Sequence, residues 1–388
     1  MLSLSVDIWR PVVSGASQSL TAQVQALFAG GKVGGMWDMG DIATLFQDYA
    51  TPVTAVTQPI GIVLDKSQGL ILGSELVTNG DFSGGTTGWV PRAGAATHAV
   101  VGGEMEVTAI NTSAQVTEQS FSVVSGRTYK VTGTMRAAGT NSVANSARIS
   151  ILGASVFSLA QVSANGVQTP FSLFATANSS TFQVQLSVAS LGAWGAIGDK
   201  AYFDNISIKE IPGNHATQPT AGSRPLYQVD GGYGCAQFDA TDDALLFPAI
   251  TFGGAFNTFF AGKVTGTQGV HLWRTADPSF GYWAAYQSAS GISPEASGVG
   301  TPSYAVNGVA LSPITRGQLY SQINNVASVT ETTGLVLSAE TALQMAGYSG
   351  YQFQGNAHRI LMISGTLTAA EKLLCRQWCA EGNGATVV

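Results

Sequence analysis

From Glu75 onward, apolar and polar residues alternate in short runs, as in Thr128 to Met135 (TYKVTGTM), Thr181 to Val188 (TFQVQLSV) and Tyr202 to Ile208 (YFDNISI). A period of two puts successive side chains on opposite faces of an extended chain, so each run predicts a strand with one buried and one solvated face. Gly, Asn and Ser separate the runs as turns, and many short strands so separated predict a β-sandwich. The strand signal continues through Asn257 to Val264, His271 to Tyr286, Gln318 to Ile323 and Ala342 to Tyr348, consistent with a second sandwich. Early helix signals are confined to the N-terminal segment. Leu20, Val24, Leu27 and Phe28 fall at helical spacing ahead of Gly30-Gly31, where a helix ends easily, and a second short helix is predicted from Asp41, as N-cap, through Ile42, Leu45 and Phe46. Near the other end, Thr368-Ala369-Ala370-Glu371 reads as a capping box opening a helix whose buried face is Leu373, Leu374 and Trp378.

Length and composition narrow this all-β picture. At 388 residues the chain exceeds what one hydrophobic core ordinarily holds, so two domains and a short attachment arm are expected. Charged residues make up 10%, against roughly 25% in an average soluble domain, and there are 47 glycines. A polar but weakly charged surface suits neutral sugars, whose hydroxyls want hydrogen bonds rather than counter-charges; subunit contacts that bury surface would dilute charge equally well. Low charge with many apolar residues leads to the expectation of a symmetric homo-oligomer, trimeric or pentameric. A net charge of -6 without clustered Lys and Arg disfavours nucleic acid. Met1 to Arg10 lacks a basic signal-peptide start, and Pro248, Gly253, Gly254 and Asn257 interrupt the apolar stretch Leu245 to Gly262, so neither a signal peptide nor membrane insertion is expected. Cys235, Cys375 and Cys379 are too few for a disulfide framework and read as buried thiols.

Asn79-Gly80-Asp81-Phe82, then Gly88-Trp89, then Gly102 to Val107 (GGEMEV), closing with Tyr202 to Ile208, resembles the jelly-roll carbohydrate-binding modules of families 4 and 9. On either side, Pro59 to Gly69 (PIGIVLDKSQG) and Gly213 to Pro225 (GNHATQPTAGSRP) are similar to two halves of one string in phage and prophage structural proteins with a concanavalin-like, or laminin-G-like, domain. There the string runs into a segment that Gln237 to Asp243 (QFDATDD) resembles, and the tail from Leu367 (LTAAEK) is similar to the end of those domains. The two resemblances together imply a nested chain: an arm at 1–35, a concanavalin-like sandwich from 36–69 plus 213–388, and a jelly roll inserted at 70–212. The first and last strands of a jelly roll can be neighbours, so its ends fit a gap in a surface loop. Many family modules hold a structural calcium that joins the start of the first strand to the last strand, and the positions matching it here are Glu75 or Asp81 with Asp204.

Catalytic equipment is not evident. Glycoside hydrolases on a concanavalin-like sandwich place paired carboxylates on one strand, and no Glu-x-Asp-x-Glu type string occurs. Glu104 and Glu106 belong to the jelly-roll pattern, and Asp239, Asp242 and Asp243 read as a turn leading into a strand. His98, His215, His271 and His358 are isolated from one another, and no Gly-x-Ser-x-Gly motif or activated Cys is evident. Binding needs less: an aromatic face for the C–H side of a sugar ring and polar side chains for its hydroxyls. Trp194, in the glycine-rich stretch Leu191 to Asp199 (LGAWGAIGD), is the leading candidate. Trp89 with Arg92 follows as either a core or a contact residue, and Trp273, Trp283 and Tyr286 come from an aromatic-rich stretch in which some residues must be core. The sequence as a whole leads to the expectation of a non-enzymatic spike or fibre subunit of a phage or gene-transfer-agent particle. It would be assembled in the bacterial cytoplasm, displayed on the virion beside other virion proteins, and would bind host capsular or surface polysaccharide. A polysaccharide-degrading enzyme or its accessory subunit, and a purely structural capsid decoration protein, are the alternatives.

Overall fold

In Thr128–Ala137 the positions Val131, Met135 and Ala137 are wholly buried while Thr132, Thr134 and Arg136 between them stay partly exposed, the period that one-sided burial imposes. The structure, a computed structural model, describes residues 18–143, 146–154, 158–161, 166–190, 192–266, 270–275, 282–285, 302–312, 315–336, 342–345 and 353–388; for the strands at 158–161, 270–275, 282–285 and 342–345 the backbone alone is described. The fold is all-β, with two antiparallel sandwiches and short helices.

Thr128–Ala137 belongs to the smaller sandwich. Its five-stranded sheet runs Thr169–Thr176, Thr128–Ala137, Lys200–Ile211, Glu104–Ala109, Ala96–Val101. Facing it is a six-stranded sheet in the order Ser158–Gln161, Ala147–Leu152, Thr181–Ser190, Val116–Ser122, Val90–Pro91, with Ala193–Trp194 added to Thr181–Ser190. Met105, Val107, Ile149, Phe182, Leu186 and Phe203 are among the residues that fill the space between them.

The larger sandwich pairs an eight-stranded with a seven-stranded sheet. Trp37, Phe238, Phe247, Phe256, Phe260 and Phe353 are among its core residues, with Trp37 and Phe247 edge to face at 4.5 Å between ring centroids. The central strands Phe256–Val264 and Gln354–Ser364 of the eight-stranded sheet are buried on both faces, so alternation vanishes along them. Two helices cover their second face. Leu20–Ala29, capped by Ser19 accepting from the Ala22 amide (3.2 Å), buries Val24 and Phe28 against Leu361, Ile363 and the C-terminal helix Ala369–Glu381. The Trp378 indole N–H donates to Thr21 Oγ1 at 3.1 Å, and Gly34–Asp38 pairs with Gln354–Ser364. Thus residues 18–35, read from the sequence as part of an arm, pack into the larger sandwich because the apolar outer face of its central strands needs a cover.

Two local expectations are corrected. Gln318 to Ile323 is not a strand: Arg316–Ile323 is a helix opened by a capping box of Thr315 and Gln318, with Leu319, Tyr320 and Ile323 on its buried side. Asp41 to Phe46 forms only a 3-10 turn, Ile42–Thr44, and then the strand Leu45–Phe46. The Asp41 side chain makes no capping bond and meets Lys66 Nζ at 2.7 Å. The three cysteines are free and buried, and burial pushes the Cys375 thiol up to about 12. Among the described residues no helix is long and apolar enough to cross a membrane.

The strands of the smaller sandwich all fall between residues 90 and 211, whereas those of the larger lie at 34–63 and 216–364. The chain therefore leaves the larger sandwich after Ile62–Val63 and returns through Ala216–Thr217, and these two segments pair with each other. Asp65 fastens both crossings. Its carboxylate accepts from the amides of Met36 (2.7 Å), Ser67 (2.8 Å) and Asn214 (2.7 Å) and from Ser67 Oγ (2.9 Å), while its own amide donates to His215 Nδ1 at 2.9 Å. Gly213, at φ +134°, lies so close that an added Cβ would sit 3.0 Å from Asp65 Oδ2, so glycine suits the position on both counts. Phe46 and Phe174 meet edge to face across the junction, and the Phe174 amide donates to Tyr49 O at 2.7 Å.

Candidate functional site

In the six-stranded sheet the core takes Ile149 and Ile151 from one strand and Val184, Leu186 and Val188 from its neighbour. The intervening residues face outward. Register sets them in rows: Arg148, Ser187 and Val116 in one; Ser150, Gln185 and Glu118 in the next; Leu152, Gln183 and Ser120 in the third. Ser150 and Ser187 are 0% exposed and Gln185 only 7%, although they face away from the core. This face is therefore a recessed polar floor rather than open surface. Gln185 Nε2 donates to Glu118 Oε2 (3.1 Å) and Gln183 Oε1 (3.2 Å), and Arg92 Nη2 joins Glu118 at 2.9 Å. Ala193–Trp194 pairs with Ser190 and Ala189, which brings the Trp194 ring over the Arg148 guanidinium at 5.1 Å. Arg148 Nη1 donates to Ser190 O (3.3 Å), and burial lowers the Arg148 pKa. The buried atoms Arg148 Nε and Ser150 Oγ have no hydrogen-bond partner.

Of the residues singled out in the sequence, Trp194 is half-buried at this recess and Arg92 reaches it through Glu118. Trp89 does not. It is 4% exposed, packs on Phe82 with centroids 5.7 Å apart and donates its indole N–H to Asn79 O at 3.3 Å, so it is a core residue. Trp273 and Trp283 are backbone neighbours on adjacent strands of the larger sandwich, with side chains outside the description, and Tyr286 lies outside the described residues. Arg148, Glu118, Gln185 and Ser150 were not singled out. For Arg148, Ser150 and Gln185 the signal was the polar half of the alternation in TFQVQLSV and in Ala147–Leu152 (ARISIL), which identifies a face but not which strands share it; Glu118 lies on a third strand, Val116–Ser122.

The residues expected to hold calcium each have protein partners of their own. Glu75 accepts from the amides of Leu76 (3.1 Å), Val77 (3.1 Å) and Ile208 (2.8 Å) and from the Ser207 hydroxyl, so its carboxylate itself ties the opening segment of the module to the last strand. Asp81 caps its own turn by accepting from the Ser83 amide and hydroxyl. Asp204 accepts from the Asn205 amide at 2.8 Å; burial and the nearby carboxylates of Glu104 and Asp81 raise its pKa. Among the described residues, the one group of three carboxylates that lie close to one another is Asp239, Asp242 and Asp243, in the larger sandwich.

Within that trio, burial and then its two acidic neighbours push Asp243 up to about 6, although it accepts from the Asp239 amide at 2.9 Å. A folded-state pKa above the unfolded value means that this group stabilises the fold below the unfolded pKa, near 3.8, and that the contribution is lost as pH rises through about 6. Asp243→Asn keeps an acceptor for the amide and removes the charge. It is expected to stabilise the protein at pH 7 by up to about 3 kcal/mol and to have little effect at pH 3.5. Melting temperatures of both proteins across this range check it; a pH-independent difference would count against the assignment.

The family match falls on the smaller sandwich. Residues 74–190, under a third of the chain, match the family described as a carbohydrate binding domain. No curated protein matches the chain. Among solved structures, the chain is similar to a family 4 carbohydrate-binding module (14% identity, covering 34% of this chain and 99% of that one, TM-score 0.27). It is also similar to a family 22 xylan-binding domain from Paenibacillus barcinonensis (16%, 36% and 97%, TM-score 0.27). A tandem pair of such domains from the same organism covers more of the chain (11%, 77% and 94%, TM-score 0.32).

Proposed function

We propose that the chain is a non-catalytic binding protein that holds a polysaccharide on the outer face of the six-stranded sheet, and that it serves as an attachment subunit on the surface of a phage-like particle. The recess carries the first part: a polar floor of Ser150, Ser187, Gln185 and Glu118 beside a half-buried Trp194, within a segment that matches a carbohydrate binding domain. Amides, hydroxyls and a carboxylate satisfy sugar hydroxyls, and the indole offers an apolar edge to the C–H face of a ring. In the described rows the floor holds one carboxylate, Glu118, and it is paired with Arg92; hydrolysis would call for a second across the scissile bond. The particle setting is supported by the resemblance of the segments flanking residues 70–212 to phage structural proteins.

Titration of the full-length protein against a panel of purified bacterial capsular polysaccharides tests the binding reading, which fails if none binds. Trp194→Ala is expected to weaken binding about fivefold, from a stacking contribution of about 1 kcal/mol, while the melting temperature stays nearly constant. A large drop in melting temperature with unchanged affinity would make Trp194 structural only. Electron microscopy with a labelled antibody on purified particles checks the location.

A further inference from the structure

Arg148 stands apart from most of the basic residues around it. In the smaller sandwich Arg92, Arg127, Arg136, Lys200 and Lys209 each have a carboxylate within salt-bridge range, namely Glu118, Glu210, Glu104, Glu106 and Glu75. Among the described residues, Arg148 has none. Residues 144–145, 155–165 and 191, whose side chains lie outside the description, include no Asp or Glu, so the sequence of this sandwich offers no carboxylate there either. Leaving a part-buried guanidinium without an anion is unfavourable, yet the position is well built: Trp194 lies over the group and Ser190 O holds one nitrogen. The Nε atom and the neighbouring Ser150 Oγ are buried donors with no acceptor. A planar guanidinium with a free edge matches the two oxygens of a carboxylate better than it matches a sugar hydroxyl. Arg92 and Glu118 cancel each other, which leaves the recess with a local positive charge. The net charge of -6 is spread over the whole chain, and physiological salt screens charges more than about 8 Å away.

We propose that the glycan bound in this recess is an acidic polysaccharide, and that Arg148 reads the carboxylate of a uronic acid unit. This rests on the reading of the recess as the polysaccharide site and specifies its ligand class. Trp194, besides its contact with the sugar, then also holds the guanidinium in place.

The test is titration of the full-length protein with polygalacturonate, alginate and hyaluronan, each beside the same polymer after chemical reduction of its carboxylates to alcohols. The expected result is that at least one acidic polymer binds about tenfold more tightly than its reduced form, that the difference shrinks as salt is raised, and that Arg148→Gln removes it. Arg148→Lys keeps the charge without the fork and is expected to lose most of the preference. Equal binding of acidic and reduced polymers would overturn the carboxylate assignment and leave the polysaccharide site standing. Failure of every polymer, in either form, would overturn the uronate assignment, and the capsular panel would then decide whether the polysaccharide site stands. An acid preference that survives in a folded Arg148→Gln protein would place carboxylate recognition elsewhere and overturn the proposal. Should that variant not fold, the wild-type ratio, its salt dependence and Arg148→Lys decide.

Discussion

Asp65→Ala is expected to destabilise the protein by about 3 to 5 kcal/mol, which lowers the melting temperature by roughly 10 °C. Asp65 is fully buried where the chain passes out of the larger sandwich and back into it, and both of its oxygens are engaged: Oδ1 by Met36 and Ser67, Oδ2 by Asn214 and the Ser67 hydroxyl. Burial raises the carboxyl pKa even though three amides pull it down, so desolvation offsets much of what the charge itself contributes. The expected loss comes instead from the amides of Met36, Ser67 and Asn214, which alanine leaves with no acceptor in a site closed to water. Asn214 also accepts the Trp37 indole N–H at 2.9 Å and donates to Gly34 O, so a shift of the returning strand reaches the core of the larger sandwich. Asp65→Asn is expected to fall between the two, because an amide accepts well on only one side. Calorimetry measures both. An alanine variant melting within 2 °C of the parent would show that this junction does not contribute as argued.

The legibility of the fold followed where water lay. Thr128–Ala137 and Lys200–Ile211 have one face in the core and one facing out, and their alternation was plain in the sequence. Phe256–Val264 and Gln354–Ser364 are buried on both faces; the sequence marked the first as a strand, from Asn257, passed over the second, and did not show that a second layer must cover them. For the same reason the helix over Leu20–Ala29 was recognisable from its spacing while its destination was not: nothing local records that Val24 and Phe28 sit against Leu361, Ile363 and Trp378. Arg316–Ile323 was misread because short apolar runs fit both periods; the Thr315-x-x-Gln318 capping box was the signal that separates them.

The candidate site divides in a similar way. Trp194 was conspicuous because glycines on both sides leave a large ring with few local neighbours. Arg148 was not, because its significance depends on what is missing around it, and the absence of a carboxylate partner appears only once Ala147–Leu152, Thr181–Ser190 and Val116–Ser122 are set side by side. Glu75 shows the reverse case. A carboxylate matching a calcium position could be found by resemblance, but its hydrogen bonds to the amides of Val77 and Ile208 emerge only from the meeting of the module's two ends.

Trp89→Ala separates core from site most sharply, and its expected effect is as large as that at Asp65. Trp89 lies under the opening turn of the smaller sandwich, wedged against Phe82 and bonded to Asn79 O, with Gly88 before it at φ +86° so that the chain can turn the ring inward. Removing a buried indole leaves a cavity, takes away one of the two hydrogen bonds that Asn79 O accepts, and costs about 3 to 5 kcal/mol. The unfolding transition that involves residues 74–211 is therefore expected to move down by roughly 10 °C. Polysaccharide affinity, measured well below that transition, is expected to stay at the parent value, because the ring faces away from the floor formed by Ser150, Gln185 and Glu118. Trp194→Ala should show the opposite pair of effects, weaker binding and nearly unchanged melting. If Trp89→Ala lost affinity while melting like the parent, the ligand would have to contact the opening turn, and the assignment of the outer face of the six-stranded sheet as the binding surface would fall.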